Sequence, residues 1–284
     1  MRSRLTLTTL FLGLLAGFMP LSWAGDGPDP EAVHGELRAD LPESLRDNLI
    51  DPLTVKRRPT FTEGEHLVYK LGWSFFTVAR AVLEVNPVEL GEAPALELSV
   101  RTRTNSFADA FYKVRNLSTS WIAADVSRSL RYMALQKEGG RERDTVASFD
   151  PAGSMVQYEN RLNGEVREPV PILPGTFDPV GIVFFVRSLD FDVGDELVVP
   201  TTNGKEFFFT VVRVVDRVKR KFALGRYEAF VLEPDIKDLG GVFKRSPDGK
   251  VRFFFSADEQ KLPLRMESEV AVGSFWAELT EIVE

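Results

Sequence analysis

From Phe61 onward the chain alternates apolar and polar residues, most cleanly in Leu96-Glu97-Leu98-Ser99-Val100-Arg101. A period of two is the mark of a strand with one buried face. The pattern returns at Leu67 to Leu71, Val78 to Val85, Phe111 to Arg115, Ser120 to Ala123, Leu130 to Leu135, Thr145 to Phe149 and Met155 to Glu159. It continues at Glu196 to Val199, Glu206 to Val215, Tyr227 to Glu233, Val251 to Ser256, Leu264 to Val270 and Phe275 to Ile282. Between them, Asn163-Gly164, Asn203-Gly204 and Asp248-Gly249 offer the positive backbone angles of two-residue hairpins, so neighbouring strands are expected to pair antiparallel.

One segment breaks this period. Asp178-Pro179 reads as a helix opening, a capping carboxylate followed by a proline at the first helical position, leading into Val180 to Leu189. Val180, Ile182, Val183, Phe184, Phe185 and Val186 cover nearly the whole circumference, which predicts a helix buried on most sides. Phe207-Phe208-Phe209 and Phe253-Phe254-Phe255 put rings on both faces of their strands, so both faces must be covered. The expected fold is mainly β: a large curved antiparallel sheet or incomplete β-barrel with one buried helix.

The amino terminus predicts export. Arg2 and Arg4 precede an apolar run from Leu5 to Phe18, and Ser22-Trp23-Ala24 ends with small residues where a signal peptidase reads, so residues 1–24 are expected to be a signal peptide cleaved after Ala24. Gly13, Gly17 and Pro20 interrupt the run before the roughly 20 apolar residues that a membrane span needs. Cleavage removes two arginines and no acid, moving the formal charge from -7 to -9. That balance disfavours nucleic acid, and the basic runs Lys56-Arg57-Arg58 and Arg217 to Lys221 read as solvated turns or strand edges. With no cysteine, disulfides, thiolate metal sites, thiol nucleophiles and a lipidated cysteine are excluded together. Residues 25–60 read as a linker with a short helix, in which Leu41, Leu45 and Leu49 form a stripe that must dock on the β domain, residues 61–284.

Catalytic chemistry finds little footing. His34 and His66 are the only histidines, which closes off multi-histidine metal sites, and no glycine-rich phosphate or dinucleotide loop is present. Asp190, Asp192, Asp195 and Glu196 crowd together without the calcium-loop spacing. No catalytic residue, metal ligand or cofactor is therefore assigned. Asp178 and Arg187 flank a wholly apolar stretch, and a buried guanidinium demands a carboxylate, a backbone contact or a ligand head group. Tyr69 and Trp73 combine apolar rings with polar tips. Tyr69, Trp73, Phe184 and Arg187 are the candidate ligand-binding residues.

Three segments carry a resemblance: Phe61-Thr-Glu-Gly-Glu65-His-Leu-Val-Tyr69-Lys-Leu-Gly-Trp73, Asp178-Pro-Val-Gly-Ile-Val-Phe-Phe-Val-Arg187, and Phe255-Ser-Ala-Asp258 through Pro263. Together they resemble the bacterial domain-of-unknown-function family 3108. The resemblance implies a secreted or periplasmic single domain, mainly β, without an established activity. The aromatic surplus and the single buried helix suggest the expected role: to hold an apolar or amphipathic envelope component such as a lipid inside the curved sheet, as a carrier or chaperone-like module. The alternatives are a structural or interaction protein for envelope integrity, and a carboxylate-based hydrolase of envelope glycans or lipids.

Overall fold

The computed structural model describes residues 30–235, 250–270 and 273–283. The expected signal segment and the Asp248-Gly249 turn lie outside the described residues. Four helices are described: α1 (Pro30–Ala39), α2 (Glu43–Arg46), α3 (Ser106–Asp109) and α4 (Gly181–Ser188). The strands are β1 (His66–Trp73), β2 (Phe76–Leu90), β3 (Ala93–Thr104), β4 (Val114–Ala123), β5 (Ser129–Glu138), β6 (Arg141–Phe149), β7 (Met155–Asn160), β8 (Glu165–Val166) and β9 (Val170–Pro171). After α4 come β10 (Glu196–Thr202), β11 (Phe207–Phe222), β12 (Gly225–Pro234), β13 (Lys250–Ser256), β14 (Pro263–Val270) and β15 (Gly273–Val283).

All fifteen strands belong to one antiparallel sheet. Two meanders, β1–β7 and β10–β15, are fused where β1 pairs with β15 from His66↔Val283 to Trp73↔Phe275. The sheet does not close into a barrel; its ends are β10 on one side and β7 with the short β8 and β9 on the other. Those ends nevertheless meet through side chains. Phe207 of β11 packs with Ala147, Val156 and Ile172, and a Cβ on Gly204 would stand 2.8 Å from the Ala147 Cβ, so the β10–β11 loop fits against β6 only without a side chain there.

The free edge of β10 is paired. Ile50 donates its amide to the Val198 carbonyl (2.9 Å) and Val198 donates to Asn48 (3.1 Å). At the other end Phe177 donates to Pro200 (3.0 Å) and accepts from Thr202 (2.9 Å). These contacts occupy backbone groups that would otherwise template aggregation. Leu41, Leu45 and Leu49 pack there against Val198, Val211 and Phe209, so the expected stripe does dock on the β domain. Its form differs: α2 covers only Glu43–Arg46, and Leu49 runs extended beside β10 because the ladder satisfies its backbone better than one more helical turn.

Two other expectations change. Asn163-Gly164 and Asn203-Gly204 lie in four-residue loops in which only the glycine has positive φ, because the asparagine side chains accept backbone amides instead, Asn163 from Glu165 and Asn203 from Lys205 and Glu206. A two-residue hairpin with positive φ at both positions occurs at Gly139-Gly140. The segment from Phe111 is not strand until Val114, because Asn105 caps α3 by accepting from Ala108 (2.9 Å) and a loop follows.

Replacing Leu41 with alanine is expected to lower unfolding free energy by about 2–3 kcal/mol, within the range for a buried leucine. It should also raise aggregation as β10 loses its cover. Denaturant titration with light scattering checks this; an unchanged midpoint would mean that the segment docks without holding the edge.

Candidate functional site

The concave side of the sheet is filled by α4. Phe184 and Phe185 are fully buried there with Leu67, Leu98, Ile122, Val199 and Leu264, drawn from strands of both meanders. Phe185 stacks on Phe177 at 4.6 Å and Phe184 meets Phe61 edge-on at 5.1 Å. A Cβ on Gly181 would fall 2.8 Å from Ser129 Oγ and 3.1 Å from Ile122, so glycine lets the first turn lie directly on β4 and β5.

Each end of this helix is held by a buried charged side chain. At the start, Asp178 accepts from the amides of Val180 (2.8 Å) and Gly181 (3.0 Å) and from the hydroxyls of Ser120 and Ser129 (2.5 Å each). Burial pushes its carboxyl above the ordinary value of 3.8, with the serine and amide donors pulling the other way. At the finish, Arg187 is completely buried and forms a bidentate pair with Glu65, Nη1 to Oε2 at 2.7 Å and Nη2 to Oε1 at 3.0 Å. Its Nε donates to the Lys261 carbonyl (3.1 Å) and Nη2 to that of Gln260 (3.3 Å), while the Phe61 and Phe184 rings cover the guanidinium at 5.6 and 5.5 Å. Four of the five N–H donors are thus used inside the protein. The last carbonyls of α4 are met by the Arg58 amide, the Thr60 hydroxyl and the Lys261 ammonium, which reaches Leu189.

The four sequence-derived residues fall into two places. Tyr69 is half-buried, donates its hydroxyl to Pro263 (2.9 Å), and lies near enough to the ion pair to feel it; burial raises the phenol far above its ordinary range, and the Arg187 charge opposes that shift. Tyr69, Phe184 and Arg187 therefore share one buried neighbourhood. Trp73 stands apart at the end of β1, 44% exposed, opposite Phe76 and Phe275.

Around Trp73 the structure gathers residues that the sequence reading did not single out. Phe75 is 98% exposed at the tip of the β1–β2 hairpin, Phe76 61%, and on the β3–β4 connection Phe107 is 59% and Phe111 80% exposed. Phe76 stacks on Phe107 at 6.4 Å and Phe107 meets Phe111 edge-on at 5.6 Å. Asn105 ties the two loops, its amide donating to Val78 and its side chain to Thr77. A contiguous group of exposed rings differs in kind from apolar residues scattered singly over a surface. The available signal was Trp73-Ser74-Phe75-Phe76, where aromatics persist through a turn that polar residues usually fill.

A separate cleft of about 300 Å³ lies beside the end of α4, where Arg58, Arg217 and Lys261 face Asp190, Asp192, Asp258 and Glu259. Its acids serve local structure: Asp258 accepts from Ser256 and Gln260, and Asp192 from Val193. The crowded acids after α4 diverge, Asp190 toward Lys261 and Glu196 toward Arg213. Among the described residues no three His, Asp or Glu side chains converge as metal ligands, and no helix is long and apolar enough to cross a membrane.

Residues 68–280 match the family model described as a protein of unknown function (DUF3108). Among solved structures, the chain is similar to a β-barrel-like protein of domain of unknown function DUF1849 from Brucella abortus, at 12% identity over 79% of this chain and 98% of that one, TM-score 0.50. Weaker likenesses are to a protein described as exported with a YmcC-like fold from Bacteroides fragilis (8% identity, 80% and 99% covered, TM-score 0.31) and one described as a lipoprotein from Parabacteroides distasonis (12%, 80% and 97%, TM-score 0.28). At these identities the first likeness speaks to the fold alone, and the other two carry no argument. No curated protein matches the chain.

Two measurements test the anchors of α4. Arg187→Met strands Glu65 in the interior and should cost about 3–5 kcal/mol, whereas Glu65→Leu/Arg187→Met should recover most of that loss, because the pair's attraction is largely offset by its desolvation. A double variant as unstable as the single one would contradict this. An acid whose folded-state pKa is raised binds protons more readily folded than unfolded, so Asp178 contributes less stability as pH rises above 3.8 toward its folded value. Asp178→Asn keeps an acceptor for Val180 and Gly181 and removes the titration. As pH rises from about 4, the unmodified protein should lose stability relative to this variant until the carboxyl has ionised in the folded state; parallel curves would refute it.

Proposed function

Because this chain belongs to the DUF3108 family of proteins of unknown function, we propose its role from geometry: an exported, periplasmic, non-catalytic module that binds an amphipathic envelope component at its aromatic rim. The observation that carries this reading is the division of apolar residues. The concave face is packed by α4 with Phe177, Phe184 and Phe185, while Trp73, Phe75, Phe76, Phe107 and Phe111 stand in solvent at one end of the sheet. Each such ring has on the order of 200 Å² to bury, and leaving several together in water is costly unless something covers them. Export rests on the Arg2-to-Ala24 pattern. In this reading Trp73 contacts the amphiphile, and Tyr69, Phe184 and Arg187 hold the sheet that presents it. Pairing through a sheet edge has less support, since residues 48–50 and Phe177 occupy the edge of β10.

Co-sedimentation with phospholipid vesicles tests the proposal. The mature protein should bind, and Phe75→Ser/Phe107→Ser/Phe111→Ser should weaken binding at least about tenfold, the equivalent of only 1.4 kcal/mol, with an unchanged melting temperature. Failure to bind vesicles or detergent micelles, or binding indifferent to these substitutions, would overturn it.

A further inference from the structure

The register of β1 to β5 sets one cation per strand in a single row. Lys70 is opposite Arg80, Arg80 opposite Arg103, Arg103 opposite Arg115, and Arg115 opposite Lys137. The neighbours of this row along the strands, Ala81, Thr102 and Asn116, are buried, so by strand alternation the row faces outward. Like charges directly opposite one another are unfavourable, and the members on β4 and β5 are neutralised, Arg115 by Asp109 at 2.5 Å and Lys137 by Glu142 at 3.1 Å. Lys70, Arg80 and Arg103 are exposed and have no acidic partner among the described residues, and Glu278 across from Lys70 is engaged by Arg265 at 2.7 Å. In a chain of net charge -7, three adjacent uncompensated cations form a local exception.

Their position relative to the aromatic rim gives the exception meaning. Lys70 precedes Trp73 by three strand residues and Arg80 follows Phe76 by four, so these two cations lie about 10–13 Å behind those rings along the strands, and Arg103 stands one residue before the end of β3, ahead of the connection that carries Phe107. Long basic side chains can lay their stems along a surface and carry the charged head well away from their own strand position. We infer that this end of the sheet docks on an anionic bilayer surface, with the aromatic tips entering the interface and Lys70, Arg80 and Arg103 against headgroup phosphates. The inference rests on the amphiphile-binding reading above and names its partner. The depth matches, since amphipathic elements sink about 5–10 Å into the headgroup boundary and rings favour that level. The shape matches as well: the rings protrude on two loop tips, suited to a deformable phase rather than to enclosing a small ligand.

The test compares binding to neutral phosphatidylcholine vesicles and to vesicles containing phosphatidylglycerol, at low and high salt. Affinity for anionic vesicles should be higher by about 5-fold per cation, on the order of 100-fold for the three, and should fall with salt. Arg80→Glu/Arg103→Glu should abolish the preference. Arg38→Glu/Lys56→Glu, an equal charge change on the exposed N-terminal segment that packs beside β10 and the end of α4, away from the row, should leave it intact. Equal binding to both vesicle types through the rim overturns this inference and leaves the amphiphile reading standing, whereas no binding to either overturns both. Equal losses in the two double variants would reduce the effect to net charge and also overturn the inference. Capture of a protein partner by the rim, with vesicles ignored, would do the same.

Discussion

An open sheet of this size has a concave face that must be covered, and here an eight-residue helix, about 12 Å long, forms the centre of that cover with Phe61, Phe177 and Phe191 beside it. So short a helix is unstable alone, and two buried polar anchors, the Asp178 carboxyl and the Arg187 guanidinium, hold it in place. Asp178 fastens its first turn to Ser120 and Ser129 on β4 and β5. Arg187 fastens its last turn to Glu65 ahead of β1 and to the carbonyls of Gln260 and Lys261 between β13 and β14. The same contacts join the two meanders from the inside, where no ladder joins their outer ends.

Arginine suits that position because its planar fork meets both oxygens of Glu65 and two carbonyls at once, which lysine cannot do. Such a pair adds little net stability over a well-packed apolar alternative, but it penalises every arrangement that leaves a charge unmatched. It therefore selects one seat for α4. With that seat occupied, the concave face is core, and the clustered exposed rings lie at the end of the sheet. The likeness to a β-barrel-like protein at TM-score 0.50 is a likeness of this architecture.

Much of the fold was legible because it follows from local periodicity. Alternation marked the strands, the Asp178-Pro179 opening marked the one buried helix, and the phenylalanine triplets marked two covered faces: Phe253 lies over Val251, Met266 and Ala277, while Phe254 packs with Phe222 on the other side. The isolated arginine in an apolar helix also announced its need for a partner. What stayed hidden depends on contacts distant in sequence. Glu65 is 122 residues from Arg187 and looks like any acid in a polar turn. Phe111 reads as the start of a strand until Asn105 is seen to cap α3, and only the joining of Phe76 to Phe107 across two loops makes a rim of separate aromatics. The cation row is likewise invisible without register, since its members come from five strands.

An amphiphile can meet the protein in one of two places: outside on the rim, or inside the curl of the sheet. Hydrogen–deuterium exchange with and without anionic vesicles decides between them directly. Protection confined to residues 73–77 and 105–113, with α4 and the inward residues of β4 unchanged, is the predicted result. Altered exchange in α4 and β4, with the two loops unaffected, would mean that the helix yields its seat to a ligand and would contradict binding at the rim.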